Sequence, residues 1–528
     1  MKKKEINLKI INFIILFSIF LIGILSSDKY GLTIDDEHYR INGLHFYEYI
    51  KNSLLGSNIQ LVESDIKYSP ALFEILLAFI SDILNINKIN EIYLLSHKLN
   101  FIIFFLSLIA FYKLIEKYYN SEVLGILGVI FIFTTPRIFA ESFYNSRDIF
   151  FMSLFIFNIC SIYNFLEKRS LISILIMSVS SAILINSKVF GVVPLLIFIF
   201  FYIIENKNKN ELRKRVSDLS KILLFSLIFI YILWPYLWKN PIENFIYSNF
   251  YHLTEQNKMS VITYYFGEYI NSNGAPWHYR IVWMFITIPT YILILFITGF
   301  ILNSKYYLQK LYKLNNKENK LTNNLNQLFK IILFSTFIII LFGTVKFNPS
   351  KLNGWRHLYF LYPIIIILSI DGLNFVYNIF RNIYLRNIVF IVCLINILYI
   401  SIWSISNHPH QYVFFNFLTK NYSVNNFDLD YWGVSNFEAI NYILENTADN
   451  KVKVGTMSFS SLYESTLKLD EKQRKRIEIT NDLNRADFII NTNMKRLRNN
   501  FIIDNKKYIK VFEIMINNKS INTIYKKI

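Results

Sequence analysis

Eleven runs of apolar residues constrain this chain more than any other feature: 10–26, 98–115, 121–135, 149–166, 170–187, 189–204, 219–237, 281–302, 330–346, 357–374 and 388–406. Lipid offers no partner to backbone N–H and C=O groups, so segments of this length cross a bilayer as helices that satisfy their own backbone. The expected fold is an α-helical polytopic membrane protein with about eleven transmembrane helices. The start, MKKKEINLKIINFIILFSIFLIGIL, is basic and then apolar with no small-residue cleavage site, and reads as a retained first helix. Apolar residues make up 53% of the 528, which leaves an ordinary soluble class behind.

The net charge of +18 is spread in short clusters between the apolar runs: Lys2 to Lys4, Lys113 with Lys117, Lys168 with Arg169, Lys207 to Lys221, Lys305 to Lys320, and Arg381 with Arg386. That is the footprint of membrane orientation, with no basic stripe of the kind nucleic acid requires. The stretch 70–85 carries Glu74 and Asp82 and opens on Pro70, so it is read as a surface or re-entrant helix. All the basic clusters then fall on one side. Residues 27–97, 136–148, Lys188, 238–280, 347–356 and everything after 406 fall on the other, taken as the outer side.

After residue 406 the composition becomes polar, and 407–528 is expected to be a small extracytoplasmic α/β domain. NFEAINYILENT and SSLYESTLKL have helical spacing, KVKVGTM and RADFIINTN read as strands, and YIKVFEIMI with SINTIYKKI as a closing pair. Cys160 and Cys393 lie inside apolar runs and read as core residues.

The candidate chemistry lies on the outer side. Asp35, Asp36 and Glu37 open a stretch with the apolar spacing of a surface helix. Acids are favoured at a helix start by the dipole and by capping, and a carboxylate held there is also rigid enough to act as a general base. A second outer loop carries Arg137, Glu141, Arg147 and Asp148, with Asp148 where the next span begins. Acids from two loops that converge could orient an acceptor or share a divalent cation, Mg or Mn, at Asp35 and Asp148; no cofactor is required by the pattern. Lys188, Arg280, Arg356 and His357 sit at membrane boundaries, where snorkelling is the structural explanation. Together they would also suit a lipid-linked phosphate. The histidines lack paired zinc-ligand spacing.

These residues carry a resemblance. A short first span, an outer loop opening on an Asp-acid pair, a surface helix, and a second acid after the third span resemble the GT-C glycosyltransferases, and within them family 39, the protein mannosyltransferase and aminoarabinose transferase group. The family signature is an Asp-Glu pair with an aromatic or His four residues after the Asp; Asp35-Asp36 and Tyr39 match it, with Asp36 in place of the Glu. In the other register, Asp36-Glu37, Arg40 takes the aromatic position. TTPRIFAESFYNSRDIFF, the segment 267–289, GWRHLYFLYP, HPHQYVFFN and DLDYWG are similar to a bacterial branch of the family, in the same order.

The resemblance implies inverting transfer of a sugar from an isoprenoid-phosphate donor to a hydroxyl-type acceptor on a protein, lipid or glycan. It is placed at the outer face of a bacterial inner membrane. Asp35 is then the base, with Asp36 beside it. Asp148 serves the acceptor or a metal, Arg356 the phosphate, and Tyr39, Arg147, Lys188, Arg280 and His357 the substrates. The alternative is a transporter or flippase of lipid-linked or small solutes, although the chain has no internal repeat and its charges sit at helix ends.

Overall fold

The computed structural model describes residues 2–57, 60–62, 67–205, 208–258, 260–315, 322, 324–347, 353–458, 460–492, 503–504 and 506–528. Lys207 and residues 316–320, which belong to two of the basic clusters, lie outside them, as do 348–352 of one outer loop.

Every apolar run coincides with helix. The first four helices are α1 (Lys2–Ser26), α2 (Asp36–Leu54), α3 (Leu72–Ile83) and α4 (Ile89–Tyr119). Then come α5 (Glu122–Phe133), α6 (Pro136–Tyr144), α7 (Asp148–Glu167), α8 (Leu171–Ile185), α9 (Val192–Ile204) and α10 (Lys209–Leu233). A loop holding α11 (Pro241–Lys258), the hairpin β1 (Ile262–Tyr265) and β2 (Glu268–Asn271), and α12 (Tyr279–Thr287) leads to α13 (Thr290–Asn315). The last spans are α14 (Leu325–Lys346), α15 (Tyr362–Ile379), preceded by a short 3₁₀ turn, and α16 (Ile383–Ser406).

Among the described residues, eight helices are long and apolar enough to cross a membrane alone. The other three of the eleven expected spans are shorter, each for a local reason. Pro136 denies its predecessor the helical conformation, so Thr135 is extended and α5 and α6 meet at a 70° bend. Helices α8 (15 residues) and α9 (13 residues) are parted by a tight turn at Asn186–Gly191. A Cβ on Gly191 would come within 2.4 Å of the Leu184 carbonyl oxygen, so only glycine lets the turn close, and the turn presents Lys188.

Large apolar side chains on α1, α10 and α16, such as Phe13, Leu227 and Ile395, are exposed as a lipid-facing belt requires. Within the bundle, α13 and α15 cross at van der Waals contact: Gly299 lies against the Leu368 carbonyl and Gly372 against that of Leu295. Small residues at such a crossing let two backbones approach where no hydrophobic drive between helices exists. As read from the sequence, 70–85 is no span. Its helix α3 has 12 residues and lies beside α2, where Gly43 leaves room for Glu74.

Polar contacts gather at two ends of the bundle. One end joins Lys117 to Glu167 and Arg169 to Glu211. The other joins the loops grouped above as the outer set: Ser248 to the Tyr68 carbonyl, Asp428 to Thr263 and Tyr264, Tyr30 to Gln411, and Arg356 to Asp148.

Beyond α16 lie α17 (Lys420–Asn426), α18 (Asn436–Glu445), β3 (Val452–Thr456), α19 (Tyr463–Leu467), α20 (Glu471–Arg476), β4 (Ile477–Ile479), β5 (Phe488–Asn491), β6 (Tyr508–Ile516) and β7 (Lys519–Lys527). The sheet order is β4-β3-β5-β7-β6, parallel among the first three strands and antiparallel after them. Asn517 and Asn518, both at positive φ, turn the closing hairpin, as a two-residue connection with right-handed strand twist demands. One side of the sheet packs on α18 through Ile440 and Ile443. Ile514, Ile516 and Ile521 join the core of the helical bundle, so this region is docked on the bundle.

Candidate active site

The segment 27–35 between α1 and α2 is tied down from several directions. Tyr30 is fully buried, stacks on Phe143 and donates a 2.7 Å hydrogen bond to Gln411. His97 Nδ1 sits 3.0 Å from the Ser27 carbonyl, and Leu32 packs with Tyr93 and Leu467. The ammonium of Lys468 bonds the backbone carbonyls of Asp28 and Tyr30. A loop held this way delivers the acids at its end in a fixed place.

The three acids then part company. Glu37 chelates Arg40 at 2.7 and 2.9 Å and accepts from the Tyr93 hydroxyl. Burial works against its charge, but those bonds win and hold it below the usual carboxylate range. Glu37 is a structural residue of α2. Asp36 accepts the Thr33 backbone N–H at 2.6 Å, and burial pushes its carboxyl up to about 8 despite that bond. Asp35 precedes the helix in capping position yet makes no capping bond, so its oxygens are left for other work. Burial raises its pKa, the guanidinium groups of Arg356 and Arg147 oppose that rise, and Asp148 is near enough to add to it.

A small, partly open cavity lies beside these acids, lined by Thr33, Asp35, Asp36, Tyr39, Tyr144, Asn145, Ser146, Arg147, Arg356 and Trp432. Four of the expected site residues therefore share its wall with Asp35: Asp36, Tyr39, Arg147 and Arg356. Arg147 lies 4.1 Å over the Tyr39 ring, donates to the Pro70 carbonyl at 2.9 Å and approaches Glu74 at 3.8 Å. Arg356 lies 4.4 Å from the ring centre of Trp432 and donates to Asp148 at 3.1 Å. A guanidinium held on an aromatic face and by a carboxylate is pre-oriented, so little entropy is lost when it grips an anion.

Four of the expected residues take other places. Asp148 does not line the cavity. Its side chain is 1% exposed, with Lys188 on Oδ1 and both Arg356 and Asn145 on Oδ2. Asn145 also caps α7 by accepting the Asp148 N–H and ties in Glu141, which holds the Tyr359 hydroxyl at 2.6 Å. Lys188 is consumed by Asp148 instead of facing the cavity. Arg280 is buried and His357 half-buried; both lie outside the cavity wall. The expectation that Asp35 and Asp148 could share a divalent ion meets an obstacle here. Both oxygens of Asp148 already face cations, so an ion would have to displace Lys188 or Arg356, and the donor set does not fit one. Among the described residues no three His, Cys, Asp or Glu side chains gather as metal ligands.

Thr33, Tyr144, Asn145, Ser146 and Trp432 were not marked from the sequence as site residues. Trp432 was within reach, because DLDYWG was singled out, but nothing in a sequence places a tryptophan from residue 432 against an arginine at 356.

Residues 69–235 match the family model described as dolichyl-phosphate-mannose-protein mannosyltransferase. No curated protein matches the sequence. Among solved structures, the Archaeoglobus fulgidus oligosaccharyltransferase in its apo form is similar at 10% identity and a TM-score of 0.49, over 89% of this chain and 65% of that one. This chain thus spans slightly less than two thirds of that relative's length. The ArnT protein of Cupriavidus metallidurans bound to undecaprenyl phosphate is similar at 9% identity and a TM-score of 0.46, over 98% and 97% of the two chains. The family model falls on the segment that supplies Arg147, Asp148 and Lys188, and over residues 69–235 the chain is similar to the dolichyl-phosphate-mannose-protein mannosyltransferases.

Proposed function

We propose that the protein is a membrane glycosyltransferase that moves a hexosyl or pentosyl unit from an isoprenoid-phosphate donor to a hydroxyl-type acceptor, with inversion. The observation that carries this reading is one cavity wall holding both an uncommitted carboxylate, Asp35, and an arginine locked in place, Arg356. The family match favours it over a transporter. The ArnT relative was solved with undecaprenyl phosphate and the archaeal oligosaccharyltransferase with a dolichol-phosphate, and the proposed donor is of that chemical kind.

Asp35 takes the acceptor proton as the acceptor oxygen closes on the anomeric carbon. The bond from that carbon to the phosphate oxygen breaks, and isoprenoid phosphate departs. Arg356 neutralises the departing phosphate, and Asp148 keeps Arg356 pointed at it. A base works best with a pKa near the working pH, and burial moves Asp35 in that direction. No metal enters these steps. Residues 1–406 form the catalytic module and 407–528 an appended α/β domain. Both the cavity and that domain face the extracytoplasmic side, in a bacterial inner membrane.

The test is transfer from radiolabelled isoprenoid-phosphate sugars by the reconstituted protein and by Asp35→Asn. The variant is expected to lose activity by about 10² to 10⁴-fold, the range for a general base, while still binding donor. Transfer at the parental rate by Asp35→Asn overturns the assignment.

A further inference from the structure

Glu141 and Asn145 stand one turn apart at the end of α6, and Asp148 opens α7 three residues on. Asn145 lies just past the helix, its N–H on the Glu141 carbonyl at 2.9 Å and its ψ of 75° turning the chain toward α7. It is 5% exposed and lines the cavity beside Asp35.

The Asn145 amide is fully spent. Its nitrogen donates one hydrogen to Glu141 Oε2 at 2.7 Å and the other to Asp148 Oδ2 at 3.1 Å, while its oxygen accepts the Asp148 backbone N–H at 2.9 Å. A flipped amide would aim its oxygen at two carboxylates and its nitrogen at an N–H, so the partners dictate the orientation. Two donors and an acceptor at this reach are peculiar to asparagine. Aspartate keeps the acceptor and loses the donors, and leucine loses all three.

Two consequences bear on Arg356. Asn145 bonds the same oxygen of Asp148 that receives Arg356, while Lys188 holds the other, so the carboxylate cannot turn without breaking a contact. The amide also stands between two buried acids, and Asp148 is near enough for its charge to bear on Glu141. Deprived of those donors, Glu141 and Asp148 compete for a proton, and an Asp148 that takes it loses its hold on Arg356. From its other side Glu141 is fixed by the Tyr359 hydroxyl. We infer that Asn145 is a positioning residue of the transfer reaction, sharing its amide between Glu141 and Asp148 so that Asp148 stays turned to Arg356 and the guanidinium is in place when the phosphate departs. This rests on the proposed glycosyl transfer, and it makes the amide itself, beyond its capping of α7, the feature that the reaction needs.

Asn145→Asp separates the two roles, because the carboxylate still accepts the Asp148 N–H but gives Glu141 and Asp148 no donor while ionised. Set between two acids, with Lys188 and Arg356 beyond Asp148 and Arg137 beyond Glu141, the new carboxyl regains a hydrogen to donate as pH falls. Two quantities are measured on the full chain in detergent from about pH 5 to about pH 8: transfer from the radiolabelled isoprenoid-phosphate sugar, and binding of undecaprenyl phosphate, which needs no transfer. The parent-to-variant ratio of each is expected to reach about tenfold at the alkaline end, the worth of a charge-assisted hydrogen bond, and to shrink as pH falls. Asn145→Leu should lose at least as much at every pH. The inference is overturned by parental values for Asn145→Asp at the alkaline end, or by a loss that does not change with pH, which is the mark of a merely structural role. Should Asn145→Asp not fold, Asn145→Ser, which keeps a capping oxygen and one donor, is read against Asn145→Leu: a smaller loss supports the inference and an equal loss overturns it. A parent that binds undecaprenyl phosphate but transfers no sugar fails the transfer reading, whereas parental transfer with a pH-independent ratio fails this inference alone.

Discussion

Asp35, Asp36 and Glu37 are consecutive and chemically alike, yet the structure separates them by what each already bonds. Asp36 is expected to be protonated at neutral pH, because burial lifts it to about 8. A carboxyl whose folded pKa is raised contributes its stabilisation below its unfolded value, near 4, and loses it as pH rises through about 8. The parent should therefore lose thermal stability across that window, and Asp36→Asn should flatten the loss while keeping transfer activity at pH 7; unchanged pH dependence of melting in detergent counts against this. Asp148 behaves in the opposite way. Removing its charge by Asp148→Asn leaves Lys188 and Arg356 facing each other without a counter-ion, at a cost of about 3–5 kcal/mol. A melting temperature within a degree or two of the parent's would show the pair to be exposed to solvent screening.

At the scale of elements, the helices that shape the cavity rely on close approach more than on propensity. A Cβ at Gly43 would fall 2.2 Å from Glu74 Cβ and 2.7 Å from its backbone carbonyl carbon. Gly43→Ala is expected to push α2 off α3, costing about 1–3 kcal/mol and lowering transfer because Asp35 and Asp36 ride on the start of α2. Full activity with parental melting would mean that α3 yields freely. The spans were legible because an apolar run of membrane length needs no distant partner to declare itself. The stretch 70–85 read as about 16 residues, and the 12-residue length of α3 was not legible. Hidden in the sequence was the hairpin of β1 and β2, whose aromatic side chains give ITYY no alternation to read. Glu74 counted against a span for 70–85, but its burial under Gly43 depends on a helix thirty residues earlier.

For the whole molecule, the site is assembled from segments hundreds of residues apart. Lys468 holds the loop of Asp28 and Tyr30, and burial pulls its ammonium down to about 7. Lys468→Met is expected to leave melting close to the parent's but to lower the transfer rate several-fold, with Lys468→Arg recovering part of it; a rate unchanged in Lys468→Met would show that the loop holds itself. Which acids and cations matter was readable as residues at membrane boundaries. Which of them touch was not, because pairings such as Lys188 with Asp148 or Arg356 with Trp432 exist only after the bundle has closed.

The place of Trp432 and Lys468 has a consequence for biosynthesis. A ribosome that has released only the membrane helices has made Asp35, Asp148 and Arg356, yet the wall behind Arg356 and the clamp on the Asp28–Tyr30 loop are still to be translated. Neither contact can form before residues 432 and 468 are made, 397 and 433 positions after Asp35.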